Sequence, residues 1–441
     1  MRPASCRPVG LLRWDGVSVA MAVLAASSLA APAVAQDIAI VGGTVHTVTG
    51  EPIEGGTVLI RDGRIVAVGT GVEIPAGARR IEASGRFVTP GLFDPYSNLG
   101  LVEVDQVSGT RDERMNDDAV TPAFDPVIGL NPLSTLIPYA RTGGLTTAAT
   151  APSGGLIAGQ AAVIDLAGGL PDGMLVRRGA AMMADFDEGA AEIMGGSRGS
   201  AALRLREAFE DARFWRQNRA AYDRGEAREL VQSRLDLAAL QPVLSGEIPL
   251  IVEAHRASDI LAVLAIAEEF GARPVIRGGT EAWMVADRLA EANVPVILQP
   301  RTSLPGSFER LGARFDNAAI LASAGVAIAL TPFENHRAAE ITQEAGNAVR
   351  WGLPWDAALR AVTLTPAEIY GVADHYGTLE PGRVANVVVW TGDPFELSTR
   401  AEIVLVRGDV MPDWTRQKAL LQRYLSLENA PRPAYDIPGS R

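Results

Sequence analysis

The sequence predicts a (β/α)8, TIM-like barrel with a small β-sandwich domain built from both chain ends. Three observations support this α/β fold class. Short β-rich runs separated by Gly and Asp-Gly turns fill residues 37–86, and β character returns at residues 377–409. Between them, short apolar runs alternate with helical patterns, as in a parallel sheet with right-handed crossovers. The alternating stretch, residues 87–370, is also close to the ~250 residues typical of such a barrel.

The first 35 residues have a different composition from the rest of the chain. Three arginines precede an apolar run from Val17 to Leu29, and small residues follow at 33–35. This pattern predicts a secretory signal peptide that is cleaved near Ala35. The apolar run is shorter than the ~20 residues that a membrane span needs, so no membrane insertion is expected.

Cysteine content and charge indicate the compartment and limit the partners. The only cysteine, Cys6, lies within the predicted signal, so the mature chain has neither thiol nor disulfide. A chain of this kind suits an oxidising compartment, and a periplasmic or secreted location is expected. Cleavage removes three arginines and one aspartate, which changes the formal net charge from −12 to −14. Nucleic acid is therefore not an expected partner.

The predicted elements follow one another along the middle of the chain. Barrel strands are expected at 249–254, 274–279, 295–300 and 326–330, with helices at 258–270 and 281–292. The helix at 258–270 has apolar residues at helical spacing, so one of its faces should pack on the sheet. The predicted segments are the signal peptide (1–35), the two parts of the β-sandwich (36–86 and 371–411), the barrel (87–370) and a tail (412–441) with a helix at 416–427.

Three segments carry a family resemblance. FVTPGLFDPYSNLGL (87–101) resembles the first barrel strand of the amidohydrolase superfamily, which usually reads VxPGLIDxHxH. Residues 40–69 and 358–394 resemble the opening sheet and the closing signature of imidazolonepropionase-like members. The resemblance implies a barrel with one or two divalent metals at its C-terminal mouth, such as zinc, where bound water is activated to hydrolyse C–N bonds.

The family's metal ligands are missing at most of the matching positions. The family pattern places a His-x-His on strand 1, a lysine after strand 4, a histidine after each of strands 5 and 6, and an aspartate after strand 8. Here these positions fall on Tyr96 and Asn98, on Met183, on Glu253 with His255 two residues beyond, on Gly278 and on Pro332. Glycine and proline have no ligand side chain, so the resemblance predicts a fold without the family's metal centre.

The numbers of lysines and histidines also predict that the family's metal centre is missing. The only lysine, Lys418, lies in the predicted tail, so a carbamylated lysine cannot bridge metals at the barrel mouth. Of the four histidines, His46 and His375 belong to the end segments, which leaves His255 and His336 near the barrel.

Polar residues nevertheless remain at the predicted barrel mouth. The candidate catalytic residues are His255, Glu253, His336 and Asp94, and the expected pocket residues are Tyr96, Asn98, Arg277, Gly278, Thr331, Pro332 and Glu334. Tyr96 and Asn98 are expected to fill the space of the lost ligands and to hydrogen-bond to each other. Glu253 and Arg277 are expected to form a salt bridge across adjacent strands, in which a guanidinium replaces a metal ion's positive charge.

Two hypotheses of function follow. The first is a pseudoenzyme without cofactor, whose pocket or surface binds a small molecule or a partner protein. The alternative is a metal-dependent hydrolase of C–N bonds in cyclic amides or peptide-like substrates, with zinc in a rebuilt centre of Glu253, His255, Glu334 and His336. Hydrolysis without metal, with Asp94 or His255 as general base, ranks last because no oxyanion stabiliser is recognisable in the sequence.

Overall fold

The computed structural model describes residues 36–116 and 118–425. The predicted signal peptide and the last sixteen residues of the predicted tail, 426–441, lie outside the described residues. Cleavage near Ala35 and export therefore stay predictions. No helix in the described ranges is both long and apolar enough to cross a membrane.

The strands of the described chain form two sheets. They are β1 (Ile38–Val45), β2 (Ile53–Arg61), β3 (Arg64–Gly69), β4 (Arg79–Glu82), β5 (Phe87–Pro90), β6 (Leu92–Ser97), β7 (Leu145–Thr150), β8 (Ile157–Asp165), β9 (Leu175–Asp185), β10 (Leu250–Ala254), β11 (Pro274–Gly278), β12 (Val296–Leu298), β13 (Ile328–Leu330), β14 (Val387–Trp390), β15 (Ala401–Val406) and β16 (Asp409–Val410).

Helices of different lengths lie between the strands and after the last of them. The α-helices are α1 (Leu136–Arg141), α2 (Pro171–Met174), α3 (Glu188–Ile193), α4 (Arg198–Gln217), α5 (Arg219–Asp223), α6 (Arg234–Ala239), α7 (Gln241–Leu244), α8 (Ala257–Phe270), α9 (Ala286–Glu291), α10 (Asn317–Ser323), α11 (Ile341–Arg350), α12 (Trp355–Ala361), α13 (Leu364–Ile369) and α14 (Arg416–Leu425). Short 3-10 helices lie at Ser108–Thr110, Pro126–Gly129, Ala282–Val285, Phe308–Arg310 and Asn335–Glu340.

The first sheet contains strands from both ends of the chain. Its order is β16-β15-β14-β5-β1-β2-β3, with β4 paired to β1. The two ends meet where β14 runs antiparallel to β5, with Val388 opposite Thr89. Apolar residues from both ends, among them Ile40 and Val387, are fully buried in one core. The expected pairing of the two β-rich ends in one sheet is confirmed, and its description as a separate β-sandwich domain stays a prediction.

The chain passes from the first sheet to the barrel at Gly91. Phe87–Pro90, placed in the barrel by the sequence, pairs instead with β1 and β14 in the first sheet. The Gly91 N–H donates to the Asn386 carbonyl at 2.8 Å, and a Cβ at Gly91 would overlap the Thr146 side chain. The barrel therefore starts at Leu92. Gly91 allows the two sheets to approach closely at this point, because a larger residue would collide with Thr146.

The second sheet is a nearly closed TIM-like barrel of eight strands, in the order β13-β12-β11-β10-β9-β8-β7-β6. Closure is completed by Thr331, just after β13, whose hydroxyl donates to the Tyr96 carbonyl of β6 at 3.0 Å. The expected strict alternation of strand and helix is wrong at β8, which runs antiparallel to both β7 and β9. Antiparallel neighbours need no crossover helix, so short connections suffice there.

Helix α8 shows how the barrel is covered. It occupies almost the predicted range and buries Ile260, Val263 and Phe270. Gly271 ends it in the left-handed conformation, with φ of 70°. The helix expected at 281–292 instead begins as a 3-10 turn, Ala282–Val285, and continues as α9.

Candidate functional site

Three charged side chains meet at the C-terminal ends of adjacent barrel strands. Asp185 ends β9, Glu253 lies on β10 and Arg277 lies on β11, and the strand register places Glu253 opposite both of the others. Two residues earlier, the side chains of these strands belong to the apolar core of the barrel: Met183, Ile251 and Val275. Because side chains alternate along a strand, the charged residues also point into the barrel.

Arg277 holds the two carboxylates together. Its Nη2 lies 2.7 Å from Asp185 Oδ1 and 2.5 Å from Glu253 Oε2. The guanidinium carbon lies 4.1 Å from the centre of the Tyr96 ring, and the residue is only 5% exposed. The expected salt bridge between Glu253 and Arg277 is present, and Asp185 extends it. The sequence patterns do not single out Asp185, although its place at the end of a barrel strand is the usual position of a site residue.

Burial and charge separate the acidities of these groups. Burial raises the pKa of Asp185 to about 7, against the lowering effect of Arg277. Burial also opposes ionisation of Glu253, but the charge of Arg277 and the bond to His255 outweigh it and lower its pKa to about 2. Burial raises the pKa of Tyr96 to about 12. Glu253 and Arg277 are therefore both charged at neutral pH, whereas Asp185 titrates close to it.

His255 extends the charged cluster on its other side. Its Nε2 lies 3.1 Å from Glu253 Oε1 and 2.9 Å from Arg310 Nη2, and its Nδ1 lies 2.8 Å from the Thr280 hydroxyl. A Cβ at Gly278 would lie 2.5 Å from His255 Cε1. The position that matches the strand 6 ligand is thus a glycine whose missing side chain leaves room for this imidazole.

Asp94 joins the first and last strands of the barrel. One of its oxygens, Oδ1, accepts hydrogen bonds from the Thr331 hydroxyl at 2.7 Å and from the Tyr96 N–H at 3.1 Å. Burial raises the pKa of this carboxyl to about 7. These bonds give Asp94 a role in barrel closure.

The expected hydrogen bond between Tyr96 and Asn98 is replaced by separate partners. Tyr96 lies against Arg277, whereas the Asn98 side chain donates to the Ala151 carbonyl at 2.6 Å. The Asn98 N–H donates to Asn335 Oδ1 at 2.7 Å. The expectation fails because Asn98 lies beyond the end of β6 and turns toward the neighbouring loops.

Comparisons with known proteins identify the family of this chain. A family model described as "Amidohydrolase family" matches residues 245–413. The crystal structure of an amidohydrolase from Thermotoga maritima MSB8 is 30% identical, with a TM-score of 0.78, over 85% of this chain and 99% of that one. The chain belongs to the amidohydrolase family.

Two curated relatives support the same membership. Amidohydrolase tasK from Hapsidospora irregularis is 26% identical over 424 residues. The match covers 83% of this amidohydrolase but only 42% of the relative, so the chain spans less than half of that protein's length. Imidazolonepropionase from Acidiphilium cryptum is 47% identical over 49 residues, which is 11% of this chain. The resemblance to the amidohydrolase superfamily is thus confirmed.

The four residues of the rebuilt zinc centre do not form one site in this amidohydrolase. Glu253 and His255 are inside the barrel mouth, whereas the side chains of Glu334 and His336 are 48% and 56% exposed and lie 3.3 Å apart. His336 also faces Asp105 at 3.8 Å. Among residues 36–116 and 118–425, no group of three or more His, Cys, Asp or Glu could hold a metal ion. The four side chains of the alternative zinc site therefore lie as two separate pairs, one buried in the barrel mouth and one exposed.

The other family ligand positions carry packing and hydrogen bonds. The Pro332 carbonyl, after β13, accepts a hydrogen bond from Gln299 at 2.8 Å. Tyr96 is covered by Arg277, and Met183 is part of the apolar core. The donor set that these residues offer does not fit the metal centre implied by the family.

Proposed function

We propose that this amidohydrolase is a pseudoenzyme that binds a small molecule at its barrel mouth and does not carry out metal-dependent hydrolysis. The observation that carries this proposal is the guanidinium of Arg277, ion-paired with Asp185 and Glu253 at the strand ends. The guanidinium of Arg277 thus places a positive charge between Asp185 and Glu253, the two carboxylates on strands β9, β10 and β11.

Charge makes this arrangement incompatible with a metal at the same place. A divalent ion ~4 Å from a guanidinium would be repelled by roughly 8 kcal/mol at an effective dielectric constant of ~20. The carboxylates of Asp185 and Glu253 could offset that repulsion, but both already pair with Arg277. The two carboxylates instead compensate the positive charge of Arg277, an arrangement that suits a binding site better than a hydrolytic centre.

Metal analysis of the mature protein, residues 36–441, tests the proposal. After expression in zinc-supplemented medium, inductively coupled plasma mass spectrometry should find well under one equivalent of zinc, manganese or iron. Chelators should leave the melting temperature unchanged. The proposal fails if a stoichiometric metal is present that is lost in Glu253→Ala and retained in Glu334→Ala, the variant of an exposed carboxylate outside the barrel mouth.

A further inference from the structure

A cleft opens beside His255, between the ends of β11 and β12 and the segment 302–318. Its enclosed space is about 40 Å³, and the rest of the cleft is open to solvent. Arg310, Arg314 and His255 are the residues lining it that can carry a charge, and all three are basic. A chain with an acidic net charge therefore presents a local basic surface at its barrel mouth.

The two arginines differ in how far their charges are compensated. Arg314 donates to both oxygens of Asp316 and stacks 4.6 Å from the centre of the Trp283 ring. Arg310 has a weaker anionic partner, because its Nη2 lies 2.9 Å from His255 Nε2 but 3.5 Å from Glu253 Oε1. That carboxylate is bound more closely by Arg277, at 2.5 Å.

Arg310 is consequently the guanidinium with spare donor capacity. Its side chain is 35% exposed, and within the described part of the chain its Nε and Nη1 make no hydrogen bond. A guanidinium presents its donors in a planar fork that matches the two oxygens of a carboxylate.

Apolar side chains complete the cleft. Leu304, Phe315 and Phe333 line it together with the arginines. Phe333 adopts a left-handed backbone with φ of 59°, which is costly for a bulky residue, and its N–H donates to the Thr331 hydroxyl at 3.1 Å. This strained backbone places an aromatic ring in the lining of the cleft.

We propose that this cleft binds a carboxylate that carries an apolar group. Arg310 receives the carboxylate, and Leu304, Phe315 and Phe333 surround the apolar part. This inference rests on the proposed function, since it names the ligand class of the same barrel mouth.

Phenylacetate binding to the mature chain tests this inference, with phenylacetamide as its neutral analogue. In isothermal titration calorimetry, phenylacetate should bind saturably and phenylacetamide much more weakly. Arg310→Gln should weaken phenylacetate binding by about tenfold or more, because a hydrogen bond to a charged group contributes ~1.5–3 kcal/mol. Arg288→Gln, which alters an arginine exposed on α9, should bind as the wild type does.

A second variant tests the cleft without altering Arg310 or its contacts with His255 and Glu253. Leu304 is 80% exposed, so Leu304→Glu should fold normally and place a negative charge in the cleft. It should weaken phenylacetate binding by a larger factor than phenylacetamide binding, because both ligands lose the apolar contact and only phenylacetate is also repelled by the new charge.

Three outcomes would overturn the inference: no saturable binding of phenylacetate, equal binding of phenylacetamide, or unchanged phenylacetate binding by Arg310→Gln. If inorganic phosphate binds as tightly as phenylacetate, the proposed contribution of the ligand's apolar group to binding is overturned. Metal content is measured on the same protein samples before and after treatment with a chelator. If the protein is free of metal and Arg310→Gln does not change phenylacetate binding, only this inference is contradicted. If the untreated protein contains a stoichiometric metal, only the proposed pseudoenzyme is contradicted.

Discussion

At the scale of single residues, Gly278 shows how a position without a side chain makes room for a neighbouring imidazole. It lies at the end of β11 with φ of 90°, a conformation that side chains rarely adopt. The His255 imidazole occupies the space where a side chain would be. The placement of His255 therefore depends on the absence of a side chain at Gly278.

Gly278→Ala should destabilise the protein by about 1–3 kcal/mol, since it adds backbone strain and displaces the imidazole. Urea unfolding followed by circular dichroism measures this difference. Gly77→Ala is a matched control, because nothing lies within 4 Å of a Cβ there. Equal stability of the two variants would contradict the packing of His255 against Gly278.

Asp94 gives the protein a pH-dependent stability. Its folded-state pKa is raised to about 7, so the folded state binds this proton more tightly than the unfolded state does. The contribution of Asp94 to stability is therefore present at low pH and is lost as the pH rises from about 4 toward 7 and through it.

Between pH 6 and pH 8, the wild type should lose about 1 kcal/mol more free energy of unfolding than Asp94→Asn, because a pKa unit corresponds to ~1.4 kcal/mol. Urea unfolding at the two pH values gives the comparison. Asp287→Asn, at an exposed position on α9, should follow the wild type. Parallel curves for wild type and Asp94→Asn would rule out this source of pH dependence.

At the scale of elements, three adjacent strand ends depend on one guanidinium. Asp185, Glu253 and Arg277 come from β9, β10 and β11, and the strand register brings them side by side. Removing one partner from a buried ion pair leaves a charge without compensation, which is costlier than replacing the whole set by apolar residues.

Arg277→Leu should destabilise the protein by about 3–5 kcal/mol, and additional replacement of Asp185 and Glu253 by leucine should recover much of this loss. Differential scanning calorimetry and urea unfolding measure both effects. Arg288→Leu, which breaks an exposed pair with Glu291, should cost at most about 1 kcal/mol. A loss for Arg277→Leu as small as for Arg288→Leu would mean that the strand ends do not depend on this residue.

At the scale of the whole molecule, a second buried cluster joins the barrel to the first sheet. Asp165, at the end of β8, is fully buried and accepts hydrogen bonds from Arg407 at 2.5 Å and from Tyr376 and Asn386 at 2.9 Å each. All three donors come from the C-terminal part of the chain. The C-terminal residues 376–407 are thus hydrogen-bonded to the barrel through Asp165, while β14 and β15 of the same segment belong to the first sheet.

Export concerns the whole chain and is tested on it. When the full-length protein is expressed in a Gram-negative bacterium, N-terminal sequencing of the periplasmic fraction should begin near Gln36, because small residues at 33–35 follow the apolar run. A variant with two arginines inserted into residues 17–29 should stay in the cytoplasm with its N-terminus intact. Recovery of the unmodified chain, uncleaved, from the cytoplasm would contradict the signal peptide.

The sequence by itself determined the features that depend on local pattern or on residue identity. The β-rich ends, helix α8 and the barrel strands β10 to β13 follow from the pattern of apolar residues. The absence of ligand side chains at Gly278 and Pro332 follows from the residue types alone. The salt bridge between Glu253 and Arg277 could also be predicted, because both residues lie at corresponding ends of consecutive strands.

Only the tertiary structure decided which distant residues meet. Asp185 reaches Arg277, and Arg310 reaches His255, through strand register and through a loop path that no local pattern encodes. The same dependence explains why Glu334 and His336 lie at the surface and why Phe87–Pro90 joins the first sheet. The spacing of apolar residues along the sequence specifies an element and its buried face. Contacts between distant elements depend instead on the register in which all the strands pair when the barrel closes.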